Sequence, residues 1–462
     1  MGVRYLIILF FLCCTVCNYS QETSFERGKI IDSLIVANTQ ETFALYLPKS
    51  YDANTPSSIV LIFDPSGIGR LGVSVFIPAA ETYNHILVCS NNTKNGVPYE
   101  TNFEITNRLT EFVFNTFNIN NEQMYTAGFS GGSRLASAIA ALTGKIQGVV
   151  ACGAGLSVNQ NFTPKESMFS FVGLVGDEDM NYFEMLNSKN WLSKYNIDNE
   201  LFINGDNHRW PPKDQILRAF GWLEMQAYKR KLKPVNIEVI HSLYENQSKI
   251  AKGLIDNNML RALDEYESLQ RNFSSYYDLD SINQRIEQIK SSSLYKTQMQ
   301  KRRDIAQQED DLFNTFSKVY KAEVKAAKSD DNFNWWKTTI KQLDDDIQVT
   351  KDNMLLKMYK RVRYSVFAGV IESSNAYRRA SAHQHMVYCD KLLTIFNPDQ
   401  WYWYFRLAQS YALLNDEAAV IRNLKKAIKH GYTRTDTLST VAEFKPLLES
   451  KRFKNFLQKN AN

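Results

Sequence analysis

The chain has little histidine and cysteine, six of each in 462 residues, and almost no excess of one charge: 54 basic side chains against 49 acidic, a net +5. The two signs interleave and no basic stripe alternates with aromatics, so nucleic acid is not an expected partner. Cys13, Cys14 and Cys17 sit in a leading apolar run. Cys89, Cys152 and Cys389 remain, odd in number and far apart, which leaves no readable disulfide framework. Cys89 and Cys152 lie near the ends of apolar runs and read as buried free thiols. The pair His383-x-His385 is too closely spaced to share a helix face, so no metal is expected there. No motif asks for an organic cofactor.

Long hydrophobic runs are also missing, with one exception. The stretch from Tyr5 to Cys17 is apolar but shorter than the about 20 residues that span a bilayer. Arg4 precedes it, and Asn18, Ser20 and Gln21 follow. This is the layout of a secretory signal over 1–20, cleaved after Ser20. It predicts an exported protein, periplasmic or secreted, with no transmembrane segment in the mature chain. A buried N-terminal strand or helix is the alternative, but nothing amphipathic marks the segment. A lipid anchor on Cys17 fits less well, because Cys14, Thr15 and Val16 depart from the usual lipidation pattern.

What is present is ordinary in bulk: 44% hydrophobic and 22% charged residues, a globular composition that excludes wholesale disorder. The length calls for two or more domains. Up to Pro234, short β-rich runs alternate with helical patterns. Residues 29–36 and 42–47 read as a first hairpin. Further strands are expected at 59–63, 86–90, 124–127, 148–151, 169–175 and 200–203, several continuously apolar and therefore suited to a parallel sheet covered on both faces. Helices are expected at 73–83, 103–117, 132–142, 180–194 and 213–230. The fold class is α/β: a doubly wound, mostly parallel sheet over 21–234. Beyond Pro234 only Gly253, Gly369 and Gly431 remain of 20 glycines, and apolar residues recur at helical intervals. An all-helical domain is expected over 235–462, joined near 231–236.

Gly128-Phe129-Ser130-Gly131-Gly132 follows one expected strand and opens an expected helix. In that setting G-x-S-x-G is a nucleophile elbow: the turn is too tight for side chains two residues either side of the serine. The helix start adds backbone N–H groups for a developing oxyanion. A serine hydroxyl needs a base, and His208 lies on the loop after the last strand. Chain order places the acid after the strand at 169–175, in Gly176-Asp177-Glu178-Asp179. Turn spacing favours Asp179, with Asp177 the runner-up; these acids also suit a helix N-cap. One oxyanion donor is the Gly131 amide. The second is expected after the strand at 59–63, from Ser66 or Gly67, and the residues leave that choice open.

With Leu45-Tyr46-Leu47-Pro48, the elbow, the Gly176…Asp179 turn and His208-Arg209-Trp210-Pro211 in view, residues 30–230 resemble an α/β-hydrolase of the esterase, depolymerase and dienelactone-hydrolase type. The resemblance implies that Trp210, with Phe129, flanks the acyl pocket. The departure is Asp64-Pro65-Ser66-Gly67 where relatives often carry a His-Gly-Gly type loop.

The expected activity is two-step acyl transfer with Ser130 as nucleophile, His208 as base and Asp179 orienting the imidazole. Carboxylic esters, free or polymer-linked, are the expected substrates. A serine peptidase of the same fold is one alternative. A silent scaffold whose helical half binds a protein or peptide is another. Within that half, 401–431 matches the helix–turn–helix spacing of a tetratricopeptide repeat, and equally a plain amphipathic hairpin. Trp401, Tyr402 and Trp403 read as core there rather than as ligand contacts.

Overall fold

The computed structural model describes residues 25–157, 159–164, 169–326 and 333–460. The expected signal at 1–20 lies outside them. Among the described residues no helix is long and apolar enough to cross a membrane.

Eight strands form one sheet: β1 Ile30–Ile35, β2 Thr42–Tyr46, β3 Ser57–Phe63, β4 His85–Ser90, β5 Ile119–Phe129, β6 Gly148–Cys152, β7 Ser170–Gly176 and β8 Asn199–Asn204. Their order across the sheet is β1-β2-β4-β3-β5-β6-β7-β8. The pairs β1–β2 and β2–β4 are antiparallel and the rest parallel. Helices α1 Gly69–Tyr83, α2 Tyr99–Thr116, α3 Gly131–Thr143, α4 Tyr182–Lys194 and α5 Lys213–Lys229 cover it. This is the α/β-hydrolase fold.

Strand alternation explains the two cores. Ile59, Leu61 and Phe63 point to the face packed by Leu109, Val113, Leu135 and Met185 from α2, α3 and α4. Val60 and Ile62 point to the other face, packed by Val73, Phe76, Ile216 and Phe220 from α1 and α5. Because both faces are covered, the strands read as unbroken apolar runs. The strand order reverses at β3, which has β4 on one side and β5 on the other. Crevices at the carboxyl ends of strands beside such a reversal are where open α/β sheets bind ligands.

The helical half comprises α6 Ile237–Leu254, α7 Met259–Phe273, α8 Asp280–Ser291, α9 Ser293–Ala326, α10 Asn334–Val349, α11 Asn353–Arg379, α12 His383–Phe396, α13 Trp401–Ala412, α14 Glu417–Lys429 and α15 Lys451–Asn460. Helices α13 and α14 bury Tyr404, Ala408, Val420, Leu424 and Ala427 against each other. Trp401 stacks near Tyr432 and Trp403 near Phe367, whereas Tyr402 is exposed.

Helix α7 docks along β8, the edge of the sheet. Glu200 on β8 accepts from Ser268 Oγ at 2.7 Å, Asn272 Nδ2 at 3.0 Å and Arg271 at 3.0 Å, with Lys189 at 3.3 Å. Trp222 of α5 donates to Asn272 Oδ1 at 3.0 Å, and Arg261 donates to the Ile203 carbonyl. Of the backbone groups that an edge strand offers to other chains, the Ile203 carbonyl is thereby taken.

Glu200 is 2% exposed, and burial alone would raise its carboxyl. Lys189, Arg271, the Ser268 hydroxyl and the Leu201 amide outweigh that effect together and hold it at about 2, against an ordinary 4.5. A depressed carboxylate stabilises the fold fully above its unfolded value and loses that contribution as pH falls through the folded one. Between pH 6 and pH 3 the wild type should therefore lose about 2 kcal/mol that Glu200→Gln does not. Urea unfolding of both proteins at the two pH values measures the difference.

Candidate active site

Strand β5 runs straight into the elbow. Ser130 has φ 54° and ψ −121°, a conformation that side-chain-bearing residues rarely hold, and α3 starts at the next residue. The close approach that permits this is visible at two glycines. A Cβ at Gly128 would lie 2.3 Å from the Gly132 carbonyl oxygen, and one at Gly132 would lie 2.0 Å from the Phe63 carbonyl oxygen. The Ser130 amide donates to the Cys152 carbonyl at 2.8 Å, which fixes the turn to β6.

Ser130 Oγ lies 3.0 Å from His208 Nε2, and His208 Nδ1 lies 2.9 and 3.0 Å from the two oxygens of Asp179. The His208 and Asp179 side chains are 7% and 1% exposed. An ionised carboxylate only accepts, so the ring proton belongs on Nδ1 and the Nε2 lone pair faces the serine hydroxyl. Asp179 Oδ1 also accepts from the Asn181 amide at 2.8 Å. That turn delays α4 to Tyr182, two residues later than the spacing suggested.

The three neighbouring acids have separate partners. Asp177 pairs with Lys357 at 2.5 Å and Glu178 with Lys360 at 2.9 Å, both on α11. Arg361 donates to the Asp177 carbonyl at 2.6 Å and pairs with Glu309 of α9. Asp177, the runner-up, faces the helical half, and Asp179 alone reaches His208. Arg361→Ala leaves Glu309 without its cation and releases the acid loop. Removing one member of a buried pair costs about 3–5 kcal/mol. Loss of positioning should lower kcat roughly tenfold in the folded protein. Urea unfolding and steady-state kinetics on the same preparation read both effects.

The loop after β3 is organised around a carboxylate that the sequence reading did not weigh. Asp64 is 3% exposed; its Oδ1 accepts from the Ser66 and Ile68 amides at 2.9 and 3.1 Å, and its Oδ2 from Trp210 Nε1 at 3.0 Å. This corrects two expectations. The Gly67 amide closes the turn onto the Asp64 carbonyl at 3.1 Å, and Gly67 does not line the pocket. Ser66 does line it, but its amide is turned onto the carboxylate, because a buried anion collects the nearest donors. Trp210 is drawn behind the pocket wall onto Phe129 and Phe76 instead of lining the cavity. Phe129 does line it, with its ring 4.7 Å from that of His208. As the first residue of α3, Gly131 has an amide with no intrahelical acceptor. The Asn95 side chain packs against Gly131, its Oδ1 1.9 Å and Nδ2 2.9 Å from where a Cβ would stand, so a side-chain amide flanks the same spot.

The serine opens into a cavity of about 710 Å³, within the usual size of small-molecule sites. One wall belongs to the helical half: Tyr364, Ala368, Ile371, Glu372, Asn375 and Arg379 follow one another along one face of α11. The Tyr364 ring lies 5.9 Å from that of His208. Burial, and the charges of Asp179 and Glu372, push the Tyr364 phenol above its ordinary value, so it stays protonated beside the imidazole. Neither Asp64 nor this wall carries a local motif. Only the i, i+4, i+7 spacing along α11 was available in the sequence, and it matches any amphipathic helix.

No protein-family model matches the chain, and no curated protein does. Among solved structures, it is similar to a hyperthermophilic esterase from the archaeon Pyrobaculum calidifontis, at 11% identity over 44% of this chain and 87% of that one, TM-score 0.36. It is similar to an S-formylglutathione hydrolase from Staphylococcus aureus at 14% identity over 43% and 98%, TM-score 0.36. A putative dienelactone hydrolase from Klebsiella pneumoniae matches at 14% identity over 43% and 97%, TM-score 0.34.

Proposed function

We propose that the chain is a serine hydrolase of carboxylic esters. The observation that carries this reading is the unbroken hydrogen-bonded line from Asp179 through His208 to Ser130 at the head of α3. In the proposed cycle His208 Nε2 takes the proton from Ser130 Oγ as the oxygen attacks the ester carbonyl. Asp179 holds the tautomer and stabilises the imidazolium. The Gly131 amide stabilises the oxyanion. His208 then protonates the departing alcohol, and water repeats the sequence on the acyl-enzyme.

The proposal includes a division into a hydrolase part, 21–234, and a helical part, 235–462, that supplies one wall of the cavity. It also includes export, for which Arg4 and the apolar run to Cys17 are the support; N-terminal sequencing of protein recovered outside the cytoplasm tests it. For the activity, a fluorophosphonate probe should label the wild type at Ser130, and a panel of short-chain aryl esters, acetylated sugars and peptides should show turnover of esters. Labelling that survives Ser130→Ala, or cleavage of peptides without esters, would overturn the assignment.

A further inference from the structure

Besides the triad, the cavity is lined by two cations without an acidic partner among the described residues, Lys94 and Arg379, and the structure assigns it a substrate: an ester that carries a second, anionic group. This rests on the hydrolase reading above for the reaction, but not for the binding.

Arg379 ends α11 and lines the cavity, as does the loop of Thr93, Lys94, Asn95 and Gly96. Gly96 has φ +80°, and a Cβ there would stand 2.7 Å from an Arg379 guanidinium nitrogen, so the absence of a side chain is what admits the cation. No carboxylate pairs with Arg379 or Lys94 among the described residues. Asn375, one turn back along α11, accepts from Arg406 through Oδ1 at 2.7 Å. Arginine only donates, so this bond orients the Asn375 amide with its NH2 group as the remaining hydrogen-bonding end.

Two further polar atoms at the cavity are buried without a partner, Thr93 Oγ1 and Arg134 Nε. Thr93 is completely buried, and leaving such a group unpaired is costly. The carboxylates do not offset this wall. Asp64 is consumed by Trp210 and two amides, and Glu184 by Arg134. Glu372 remains, but it lies seven residues before Arg379, roughly 10 Å along the helix. A cluster of unmatched donors with two unpaired cations matches anionic oxygens, as on a carboxylate, sulfate or phosphate. Because Gly96 adjoins Asn95, and Asn95 packs on Gly131, that group would sit near the scissile ester on the same small molecule.

The test compares pairs of nitrophenyl esters that differ by one carboxylate. On the acyl side these are 4-nitrophenyl hemisuccinate and 4-nitrophenyl butyrate; on the alcohol side, the acetates of 5-hydroxy-2-nitrobenzoate and 4-nitrophenol. In one of the two pairs, kcat/KM should favour the anion by roughly tenfold or more, the yield of one charge-assisted contact. Arg379→Gln and Lys94→Gln should each shrink that ratio, and Arg379→Glu should reverse it. Added salt should weaken the preference, because both cations are solvent-exposed. Ratios near one in both pairs, or a preference that survives Arg379→Glu, would overturn the inference.

Calorimetry separates this from failure of the hydrolase reading. With monomethyl succinate and dimethyl succinate as probes, selective binding of the monoanion that Arg379→Glu abolishes sustains the anion site even if no ester is turned over. Absence of that selectivity refutes it whatever the kinetics show. Competition by methyl sulfate and methyl phosphate then sorts the three anions.

Discussion

Ser130→Ala should lower kcat for a short-chain aryl ester by at least about 10⁴-fold, as loss of the nucleophile does in hydrolases of this mechanism. The size of the effect follows from the site having one nucleophile and nothing to replace it. Among the described residues, the Oγ carried by the φ 54° turn is the only hydroxyl at hydrogen-bond distance from His208 Nε2. What survives the substitution is oxyanion stabilisation by the Gly131 amide and ordinary binding in the cavity, which together leave a small residue over the uncatalysed rate. The backbone strain is carried by Ala as well as by Ser, so the thermal midpoint should move little. Measurement of kcat on protein whose active sites have been counted by phosphonate titration of the wild type decides the matter. A variant within tenfold of wild type would remove Ser130 from the mechanism.

The second large effect separates two aspartates only two residues apart. Asp179→Asn should reduce kcat about 10⁴-fold, because an amide can donate to His208 Nδ1 and so turn the ring to the tautomer whose Nε2 cannot accept the serine proton. Asp177→Asn should cost no more than about tenfold, since it only weakens the ion pair to Lys357 and the hold of α11 on the loop. Equal losses in the two variants, or a larger loss at Asp177, would contradict the geometry. Circular dichroism and urea unfolding show whether either variant has merely lost its fold.

Much of the sheet was legible because its physics is local. Unbroken apolar runs, such as Ile59–Phe63 within β3, mark strands covered on both faces, and the alternation of Ile59, Leu61 and Phe63 against Val60 and Ile62 assigns them to two cores. The elbow was legible for the same reason: a strand, a strained serine and a helix within a few residues leave room only for glycine at Gly128 and Gly132. The oxyanion loop was not. Whether the Ser66 and Gly67 amides are free depends on where the Asp64 carboxylate and the Trp210 indole come to rest, and Trp210 lies 146 residues away.

By itself, the sequence determined the sheet, the helices, and the candidate nucleophile and base, because each follows from residue spacing within one or two elements. The choice of Asp179 over Asp177 could only be made by the tertiary structure, since all three acids fit the turn and their partners, His208, Lys357 and Lys360, come from three different distances along the chain. The same holds for the wall of the cavity. Helix α11 is amphipathic in sequence, but its pocket-facing stripe acquires a role only when the fold lays it across the carboxyl ends of the strands. Docking of that kind is a sum of many weak long-range contacts, and no local pattern encodes it.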